Sequence, residues 1–487
     1  MRGPLYHLHR TTRRLVLLGC LSVLGLTLAS STTVSQLDRI LNDGVLRMIT
    51  LAGPTTYYEN ARGPTGYEYL LAKAFAEHLG VELKVTLMDS IPGILSSIGT
   101  PKGHFAAAGL SVTPKRVERT LFSEPYSEVT QKVVYRAGTP RPDNIADILG
   151  GELLTVAGSA HSERLNELKQ LYPDLSWREH PSAEVLELME MVHNGDAEFA
   201  VVDSHDYLIN RSLFPNAREA FDLSEPQALA WAFPKRRDDS LLKAANRFLQ
   251  EFRDSGQLAR LEEQFHGHTE RFSAYGSRVF IQHLNTRLPK YLELFQETAA
   301  ELALDWHLLA AMAYQESHWD PLAVSPTGVV GLMMLTRAAA SEVNVTNRRD
   351  PEQSITGGAQ YFLYTYNRIA DRIQEPDRTW LALAAYNIGY GHLEDARILT
   401  ERHGGNPDLW EDVKTHLPLL QKRAHYSTVR FGYARGWEAV HYVENIRHYR
   451  SILQWKTLSI LRREEKDRYT DQLENGELPP PALLRPL

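Results

Sequence analysis

The stretch from Asp305 to Thr336 constrains the fold more than any other part of the chain; it reads DWHLLAAMAYQESHWDPLAVSPTGVVGLMMLT. The unbroken apolar run from Leu308 to Ala313 predicts a helix that is buried on every side. Asp305 is the predicted N-cap, because its carboxylate can accept the free amide protons of the first turn. Asp320-Pro321 is the predicted end, since proline cannot continue the helical hydrogen-bond ladder.

Glu316 lies in the last turns of this predicted helix. Burial removes solvation from the charged carboxylate, and the negative end of the helix dipole also disfavours it, so both raise the pKa. A carboxyl that keeps its proton near neutral pH can serve as a general acid. Taken alone, a glutamate near a helix end is more often a solvated surface residue, so the assignment depends on the blocks that follow.

Four further blocks follow in order. They are the turn Ser325-Pro326-Thr327-Gly328, the run from Gly331 to Leu335, the segment AAYNIGYG from Ala384 to Gly391, and Glu438 with Tyr442-Val443. From Phe280 to Tyr449 this order resembles the lysozyme-like lytic transglycosylases, which cleave peptidoglycan. Met334 stands where that pattern usually has glutamine. This feature, together with a solute-binding domain ahead of the catalytic one, resembles the subfamily called membrane-bound lytic murein transglycosylase F.

The resemblance implies an all-α lysozyme-like domain with Glu316 as its catalytic residue. Glu316 would protonate the oxygen between N-acetylmuramic acid and N-acetylglucosamine. It would then take the proton of the muramic 6-hydroxyl, whose attack on the anomeric carbon gives a 1,6-anhydro product. The resemblance also implies a set of substrate-binding residues: Ser325, Met333, Tyr386, Asn387, Glu438 and Tyr442.

The roles of these residues differ. Ser325 would hydrogen-bond the sugar, whereas Asn387 and Glu438 would hold the architecture of the cleft. Tyr386 would position the substrate or stabilise the charge of Glu316, with packing in the core as its alternative. Met333 and Tyr442 would line the groove, and for Met333 packing in the core is the favoured alternative.

The blocks offer one convincing carboxyl, whereas ordinary glycosidases use two. A single acid suits a reaction in which the substrate supplies its own tethered nucleophile. We expect no cofactor and no metal: Glu316 and His318, two residues apart on a helix, point to different faces and do not form a zinc pair. A lysozyme-like hydrolase and a catalytically inactive murein- or solute-binding protein remain alternatives.

Short apolar strands alternate with amphipathic helices from Asn42 to about Phe265, which is typical of an α/β domain. Two such runs in series predict two lobes with a cleft. The segment from Gly109 to Tyr126 fits the pattern G-x-[ST]-x-T-x-x-R followed by F-S-x-P-Y, and so resembles periplasmic amino-acid-binding proteins of family 3. We therefore predict a multidomain chain: a two-lobed α/β domain like those proteins, followed by the all-α lysozyme-like domain.

This second resemblance implies a ligand site in the cleft. Arg116 would bind a ligand carboxylate through its planar guanidinium group. Asp203 would receive the ligand's amino group, and Ser111 and Ser159 would contact the carboxylate. The alternatives are a surface salt bridge with Glu118 or a neighbouring residue for Arg116 and a helix N-cap for Asp203. The expected ligand is an amino acid or a muropeptide.

The chain ends carry distinct signals. Arginines precede the apolar stretch from Leu15 to Ala29, which is shorter than the ~20 residues of a membrane span, so residues 1–31 are a predicted signal peptide. Residues 457–487 are a charged and proline-rich tail, predicted as a solvated helix followed by disorder. The subfamily resemblance implies a periplasmic location, peripheral to the inner leaflet of the outer membrane.

Between these ends, residues 32–268 are the predicted solute-binding domain and residues 269–456 the predicted transglycosylase domain. Glycines and polar residues from His266 to Arg278 predict the linker. Closure of the lobes on a ligand would move this linker and so affect the groove. The formal net charge of −7 gives no electrostatic case for nucleic acid as a partner.

Overall fold

The computed structural model describes residues 34–53, 55–60, 63–180, 185–266, 274–325 and 328–474. The predicted signal peptide, the predicted domain boundary at residues 268 and 269, and the proline-rich end of the tail lie outside these ranges. Within them, no helix combines the length and the hydropathy that crossing a bilayer requires.

Fourteen strands lie in the N-terminal part of the described chain. They are β1 (Val45–Leu51), β2 (Tyr58–Asn60), β3 (Gly63–Thr65), β4 (Glu82–Met88), β5 (Phe105–Ala106), β6 (Thr120–Phe122), β7 (Ser127–Val129), β8 (Gln131–Arg136), β9 (Leu153–Val156), β10 (Arg178–His180), β11 (Phe199–Asp203), β12 (Ala217–Asp222), β13 (Gln227–Leu229) and β14 (Ala232–Pro234).

Helices cover both parts of the chain. They are α1 (Gln36–Asp43), α2 (Tyr67–Leu79), α3 (Ile91–Ser97), α4 (Pro114–Val117), α5 (Ala160–Leu171), α6 (Val185–Asn194), α7 (Ser204–Asn210), α8 (Ser240–Asp254), α9 (Gln257–His266), α10 (Ala274–Thr286), α11 (Leu292–Glu301), α12 (Trp306–Ser317), α13 (Arg337–Glu342), α14 (Pro351–Arg368), α15 (Asp377–Ile388), α16 (Tyr390–Arg402), α17 (Trp410–His416), α18 (Arg423–Tyr426) and α19 (Gly436–Glu474). Short 3₁₀ helices span Ile145–Ile148, Leu288–Lys290 and Leu417–Gln421.

Two five-stranded mixed sheets define two lobes. The first has the order β4-β1-β5-β14-β6, and the second has the order β10-β9-β11-β8-β12. The antiparallel pair β7–β13 lies where the chain passes from the first lobe to the second and back. This two-lobed α/β architecture confirms the fold predicted for the first part of the chain.

Strand β5 is shorter than the predicted strand from Phe105 to Leu110. It ends at Ala106, and the chain then reaches Gly109, which has a φ of 61°. That left-handed conformation favours glycine and turns the chain out of the sheet. The backbone N–H of Gly109 donates to the buried carboxylate of Glu68, 2.6 Å away. The residues after β5 therefore line a cleft instead of extending the strand.

The C-terminal part is helical and is organised around α12. Every residue from His307 to Tyr314 is buried, as the apolar sequence predicted. Asp305 is the N-cap and accepts the backbone N–H of His307 at 3.0 Å. The same carboxylate accepts Nε of Arg450 at 2.8 Å and Nε2 of Gln454 at 3.3 Å. One side chain therefore caps α12 and also fixes it to α19.

The predicted end of this helix at Asp320-Pro321 is wrong. Helix α12 ends at Ser317, and His318 and Trp319 follow with φ values of 53° and 57°. The Trp319 indole N–H donates to the carbonyl oxygen of Ala310 at 2.8 Å, which folds the chain back against the helix. The buried side chain of Trp319 therefore ends α12 before the chain reaches Pro321.

Two predicted boundaries also shift. The predicted linker ran to Arg278, but α10 begins at Ala274, and residues 267–273 lie outside the description. Helix α19 runs on to Glu474, so the predicted tail is helical at least through residue 474. Residues 475–487 lie outside the described ranges.

The two parts of the chain share a buried cluster. Tyr58 of β2 and Ile209 of α7 belong to the same apolar core as Trp455 of α19. The rings of Tyr58 and Trp455 meet edge to face, with centroids 4.7 Å apart. Nearby, Lys414 Nζ lies 2.9 Å from the carboxylate of Glu263 on α9. Helix α19 thus packs against both α12 and the solute-binding-like part.

We expect Asp305→Ala to lower the free energy of unfolding by about 3–5 kcal/mol, because it leaves the Arg450 guanidinium largely buried without its carboxylate. Burial raises the pKa of Asp305, but Arg450 and His307 outweigh it and hold the pKa below its usual range. Asp350→Ala is the matched control, since Asp350 caps α14 through the N–H of Gln353. That change should cost only about 1 kcal/mol in denaturant unfolding, and equal losses in both variants would contradict the role of Asp305.

Candidate functional site

Glu316 lies in the last turn of α12 and is partly buried against α19. The hydroxyl group of Tyr442 donates to its Oε1 at 2.7 Å. Burial raises the pKa of Glu316 to about 7, while the hydrogen bond from Tyr442 acts in the opposite direction. Near neutral pH the carboxyl therefore changes readily between its protonated and charged forms, as a combined acid and base must.

The helices α12 and α19 run antiparallel, and paired side chains fix their register. Asp305 contacts Arg450 at one end, whereas Glu316 contacts Tyr442 at the other. Next to Glu316, the side-chain oxygen of Gln315 accepts Nδ2 of Asn445 at 3.0 Å. The carboxyl is therefore held at a fixed point of a rigid helix pair. Sequence analysis missed Asn445, although it lies three residues after Tyr442, on the same face of a helix.

One of the two roles predicted for Tyr386, contact of its hydroxyl group with Glu316, is wrong, whereas positioning of the substrate stays a prediction. That hydroxyl donates to the backbone carbonyl of Met333 at 3.1 Å, so the direct contact with Glu316 belongs to Tyr442. The rings of Tyr386 and Tyr442 are stacked, with centroids 6.4 Å apart and an interplanar angle of 15°. Tyr386 therefore supports the aromatic side chain that contacts the acid.

Met333 does not line a groove with its side chain, contrary to the prediction. The residue is fully buried, and its backbone N–H donates to Ser354 Oγ at 3.1 Å. A Cβ atom added to Gly358 would lie 2.5 Å from Met333 Cγ, so the packing of α14 against the turn that contains Met333 leaves room only for glycine there. The alternative interpretation, packing in the core, is therefore correct. Met334, at the position of the usual glutamine, is half-buried and has a φ of 46°.

The other predicted groove residues lie on separate elements. The Oγ of Ser325 accepts the backbone N–H of Val329 at 3.0 Å. Asn387 is exposed near the end of α15. Glu438 is ion-paired with Arg435 at 2.8 Å and lies one helical turn before Tyr442 on α19. Their contacts with substrate remain predictions.

A cavity of about 130 Å³ lies between the two lobes of the N-terminal part. All four residues predicted for ligand binding line it: Ser111, Arg116, Ser159 and Asp203. These residues come from separate segments of the sequence, and only the crossing of the chain between the lobes brings them together. Within the described residues, no group of three or more His, Cys, Asp or Glu side chains is placed to hold a metal ion.

The guanidinium group of Arg116 already has protein partners. It donates to the carbonyl oxygens of Ser111 at 3.0 Å and Gly158 at 3.4 Å. Its Nε lies 3.3 Å from the carboxylate of Glu163, so its ion pair is a buried one with Glu163 rather than a surface one with Glu118. Arg116 is therefore held at the wall of the cavity in a fixed orientation.

Asp203 and Ser159 also make local contacts. Asp203 occupies the N-cap position of α7 without a side-chain capping bond, and its Oδ1 lies 3.0 Å from His161 Nε2. Ser159 caps α5 by accepting the N–H of Ser162 at 3.2 Å, and its hydroxyl donates to the Val156 carbonyl at 2.7 Å. The N-cap alternative for Asp203 is therefore correct for its backbone position, but its side chain contacts His161 instead of capping α7.

Comparison with known proteins identifies relatives of both parts. Residues 46–268 match the family described as bacterial extracellular solute-binding proteins, family 3. Residues 293–407 match the transglycosylase SLT domain. Among solved structures, holo ArgBP from T. maritima is similar to this chain with 24% identity and a TM-score of 0.41, over 47% of this chain and 99% of that one.

Relatives also match across nearly the whole chain. A protein of Saccharophagus degradans named membrane-bound lytic murein transglycosylase F is 51% identical over 91% of this chain and 89% of its own length. A protein of the same name from Pseudomonas fluorescens is 44% identical over 99% of this chain and 98% of its own. Both parts therefore occur together in these relatives.

We expect Glu316→Gln to stabilise the protein at alkaline pH. The pKa of Glu316 is raised from 4.5 to about 7 in the folded state, so between these pH values the folded state retains a proton that the unfolded chain has lost. The free energy of unfolding therefore falls as the pH rises from about 4.5 to about 7. The amide removes this loss of stability, which is on the order of 3–4 kcal/mol above about pH 8 and nearly vanishes at pH 4.

Thermal unfolding of both proteins across this pH range tests the prediction. The matched control is Glu297→Gln, which changes an exposed carboxylate on α11. A gain of stability that is the same at acidic and alkaline pH would show that Glu316 does not carry a raised pKa.

Proposed function

Because this chain belongs to the family of membrane-bound lytic murein transglycosylases F, we propose that Glu316 is the single acid and base of its reaction. The protein is a peptidoglycan lytic transglycosylase with a solute-binding-like N-terminal domain. The observation that carries the proposal is the contact of the Glu316 carboxyl with the Tyr442 hydroxyl group at 2.7 Å, in surroundings whose burial raises the pKa of Glu316 to about 7.

In the first step, protonated Glu316 gives its proton to the glycosidic oxygen between N-acetylmuramic acid and N-acetylglucosamine. The bond from the anomeric carbon of N-acetylmuramic acid to this oxygen breaks, and the N-acetylglucosamine side leaves with a hydroxyl group. Glu316 becomes a carboxylate, and the hydroxyl group of Tyr442, 2.7 Å away, stabilises the new charge. The hydrogen bond therefore favours the form of the acid that this step produces.

In the second step, the Glu316 carboxylate accepts the proton of the 6-hydroxyl group of the same muramic acid residue. The oxygen forms a bond to the anomeric carbon and closes the 1,6-anhydro ring, and Glu316 recovers its proton. Since the nucleophile is tethered to the reacting sugar, orientation lowers the barrier without a positioned water or a second carboxylate. One acid with a pKa near neutral pH is sufficient for both proton transfers.

Mass spectrometry of digested sacculi tests this reaction. We expect products with 1,6-anhydromuramic ends, and Glu316→Gln should lower the rate by at least about 100-fold, the range for loss of general acid–base catalysis. Glu297→Gln is the control and should retain wild-type turnover. Reducing muramic ends would instead identify a hydrolase, and an unchanged rate in Glu316→Gln would identify a protein that only binds murein.

We expect Tyr442→Phe to move the alkaline limb of the pH–rate profile to higher pH. The hydroxyl group stabilises the charged form of Glu316, so its loss raises the pKa of the carboxyl further. Tyr386→Phe is the matched control, because its hydroxyl group donates to the Met333 carbonyl instead of Glu316. Profiles of kcat/KM between about pH 5 and 9 that move equally in both variants would contradict the assignment.

We also propose that the cleft of the first domain binds an amino acid or a muropeptide. The support is the cavity of about 130 Å³ lined by Ser111, Arg116, Ser159 and Asp203. The protein would act in the periplasm, peripheral to the inner leaflet of the outer membrane, and the names of the relatives associate them with a membrane. Predicted domain limits at residues 32–268 and 269–456 enclose the two family matches.

A further inference from the structure

Tyrosine rings form a continuous series of contacts that leads away from the proposed acid. The ring of Tyr442, whose hydroxyl group donates to Glu316, is stacked on that of Tyr386. Tyr386 meets Tyr361 of α14 edge to face, with centroids 5.5 Å apart. Tyr361 is stacked in turn on Tyr364, with centroids 6.0 Å apart. Because Tyr364 is 41% exposed, the series ends at the surface of the C-terminal part.

An arginine lies at the outer end of this series. The guanidinium carbon of Arg368, the last residue of α14, lies 5.6 Å from the ring centroid of Tyr364 and 4.1 Å from that of Tyr390. Tyr390 begins α16 and comes three residues after Asn387, one of the predicted groove residues. Guanidinium groups stack favourably on the faces of aromatic rings. Two rings from different helices therefore hold Arg368 beside the predicted groove.

The positive charge of Arg368 is not matched by the protein. The residue is exposed, and among the described residues its side chain forms no ion pair and no hydrogen bond. Glu394, one helical turn after Tyr390, is paired with Arg397 at 2.6 Å instead. The guanidinium group presents its N–H donors in one plane, which fits both oxygens of a carboxylate. An unpaired and oriented guanidinium group beside the groove indicates that the substrate supplies a carboxylate.

We infer that Arg368 binds a carboxylate of a murein stem peptide, so that the enzyme prefers glycan strands that carry charged peptides. The inference deepens the proposed function and rests on the proposed site at Glu316. Each muramic acid residue bears its peptide through a lactyl group, and the sugars of an intact strand are neutral. A cation beside the groove therefore adds affinity through the peptide. Arg368 is in this sense a specificity-determining residue that takes no part in the proton transfers.

The rings around Arg368 explain how an exposed cation contributes to affinity. A freely moving arginine loses rotamer freedom when it binds, and this entropy offsets much of the gain from an exposed ion pair. Contact with Tyr364 and Tyr390 restricts the side chain before the substrate arrives. The entropy cost of binding is correspondingly smaller.

Kinetics of the full chain on two forms of the same sacculi test the inference. In one form the carboxylates are intact, and in the other a carbodiimide and ammonia have converted them to neutral amides. We expect amidation to raise the KM of the wild type about 5-fold more than that of Arg368→Gln, the upper end for an exposed ion pair. The kcat of Arg368→Gln on amidated sacculi should equal that of the wild type, since the proton transfers do not involve this residue.

Arg349→Gln is the matched control. Arg349 is also exposed and lies directly before the opposite end of α14, roughly 27 Å away along the helix axis. This variant makes the same change in net charge and should respond to amidation as the wild type does. Arg368→Lys keeps the charge without the planar fork and should recover part of the preference for charged sacculi.

Ionic strength supplies a readout that a loss of packing would not move. Salt screens an exposed ion pair, so the difference in KM between the wild type and Arg368→Gln on intact sacculi should shrink from about 0.02 M to about 0.5 M salt.

The source of the carboxylate is tested with glycan strands that an amidase has cut between the lactyl group and the peptide. These strands lack the stem peptide but carry a free lactyl carboxylate. The wild type and Arg368→Gln should have the same KM on them.

An equal effect of amidation on the wild type and Arg368→Gln would overturn the inference. A difference that persists on the amidase-treated strands would also overturn it, because the lactyl group would then be the source of the carboxylate. Glu316→Gln on amidated sacculi tests the proposed acid separately, since this substrate has no carboxylate for Arg368 to bind. Retained activity of Glu316→Gln there would contradict the proposed site, whatever the result for Arg368.

Discussion

The antiparallel contact between α12 and α19 is the interaction on which the rest of the catalytic part depends. At one end, the buried carboxylate of Asp305 caps α12 and binds Arg450 of α19. At the other end, Tyr442 of α19 donates to Glu316 of α12. Each contact joins a carboxylate to a donor on the partner helix, so a shift of one helix along the other would deprive both acids of their donors on α19. The position of the proposed acid, Glu316, is therefore a consequence of helix register.

The two carboxylates of this pair show how environment assigns different properties to similar groups. Both are removed from water, which raises the pKa of each. Asp305 has a guanidinium and an imidazole as partners, so it remains charged and structural. Glu316 has only a phenol, so its pKa rises to about 7 and it can exchange protons. The difference comes from the cationic partners of Asp305, which are Arg450 on α19 and His307 on α12, because Glu316 has no such partner.

Some of these features could be predicted from local sequence. The burial of α12 follows from its apolar run, and the N-cap role of Asp305 follows from its position before that run. The helix end could not be predicted, because the indole of Trp319 reaches back to the Ala310 carbonyl and ends α12 before Pro321. One of the two roles predicted for Tyr386, contact with Glu316, was wrong for a related reason. Both Tyr386 and Tyr442 lie far along the chain from Glu316, and only the packing of α15 and α19 decides which hydroxyl group reaches the carboxyl.

The sequence by itself determined the α/β and helical parts of the chain, the family and the candidate for the acid, because each depends on residues that are close together in the chain or on blocks in a fixed order. The tertiary structure alone decided that Met333 is buried, that Arg116 pairs with Glu163 instead of Glu118, and that Asp206 and Asn210 meet Asp203 and His161 at one cavity. These outcomes depend on contacts between distant segments, where burial and the balance of donors, acceptors and charges are set by whatever the fold places alongside each side chain.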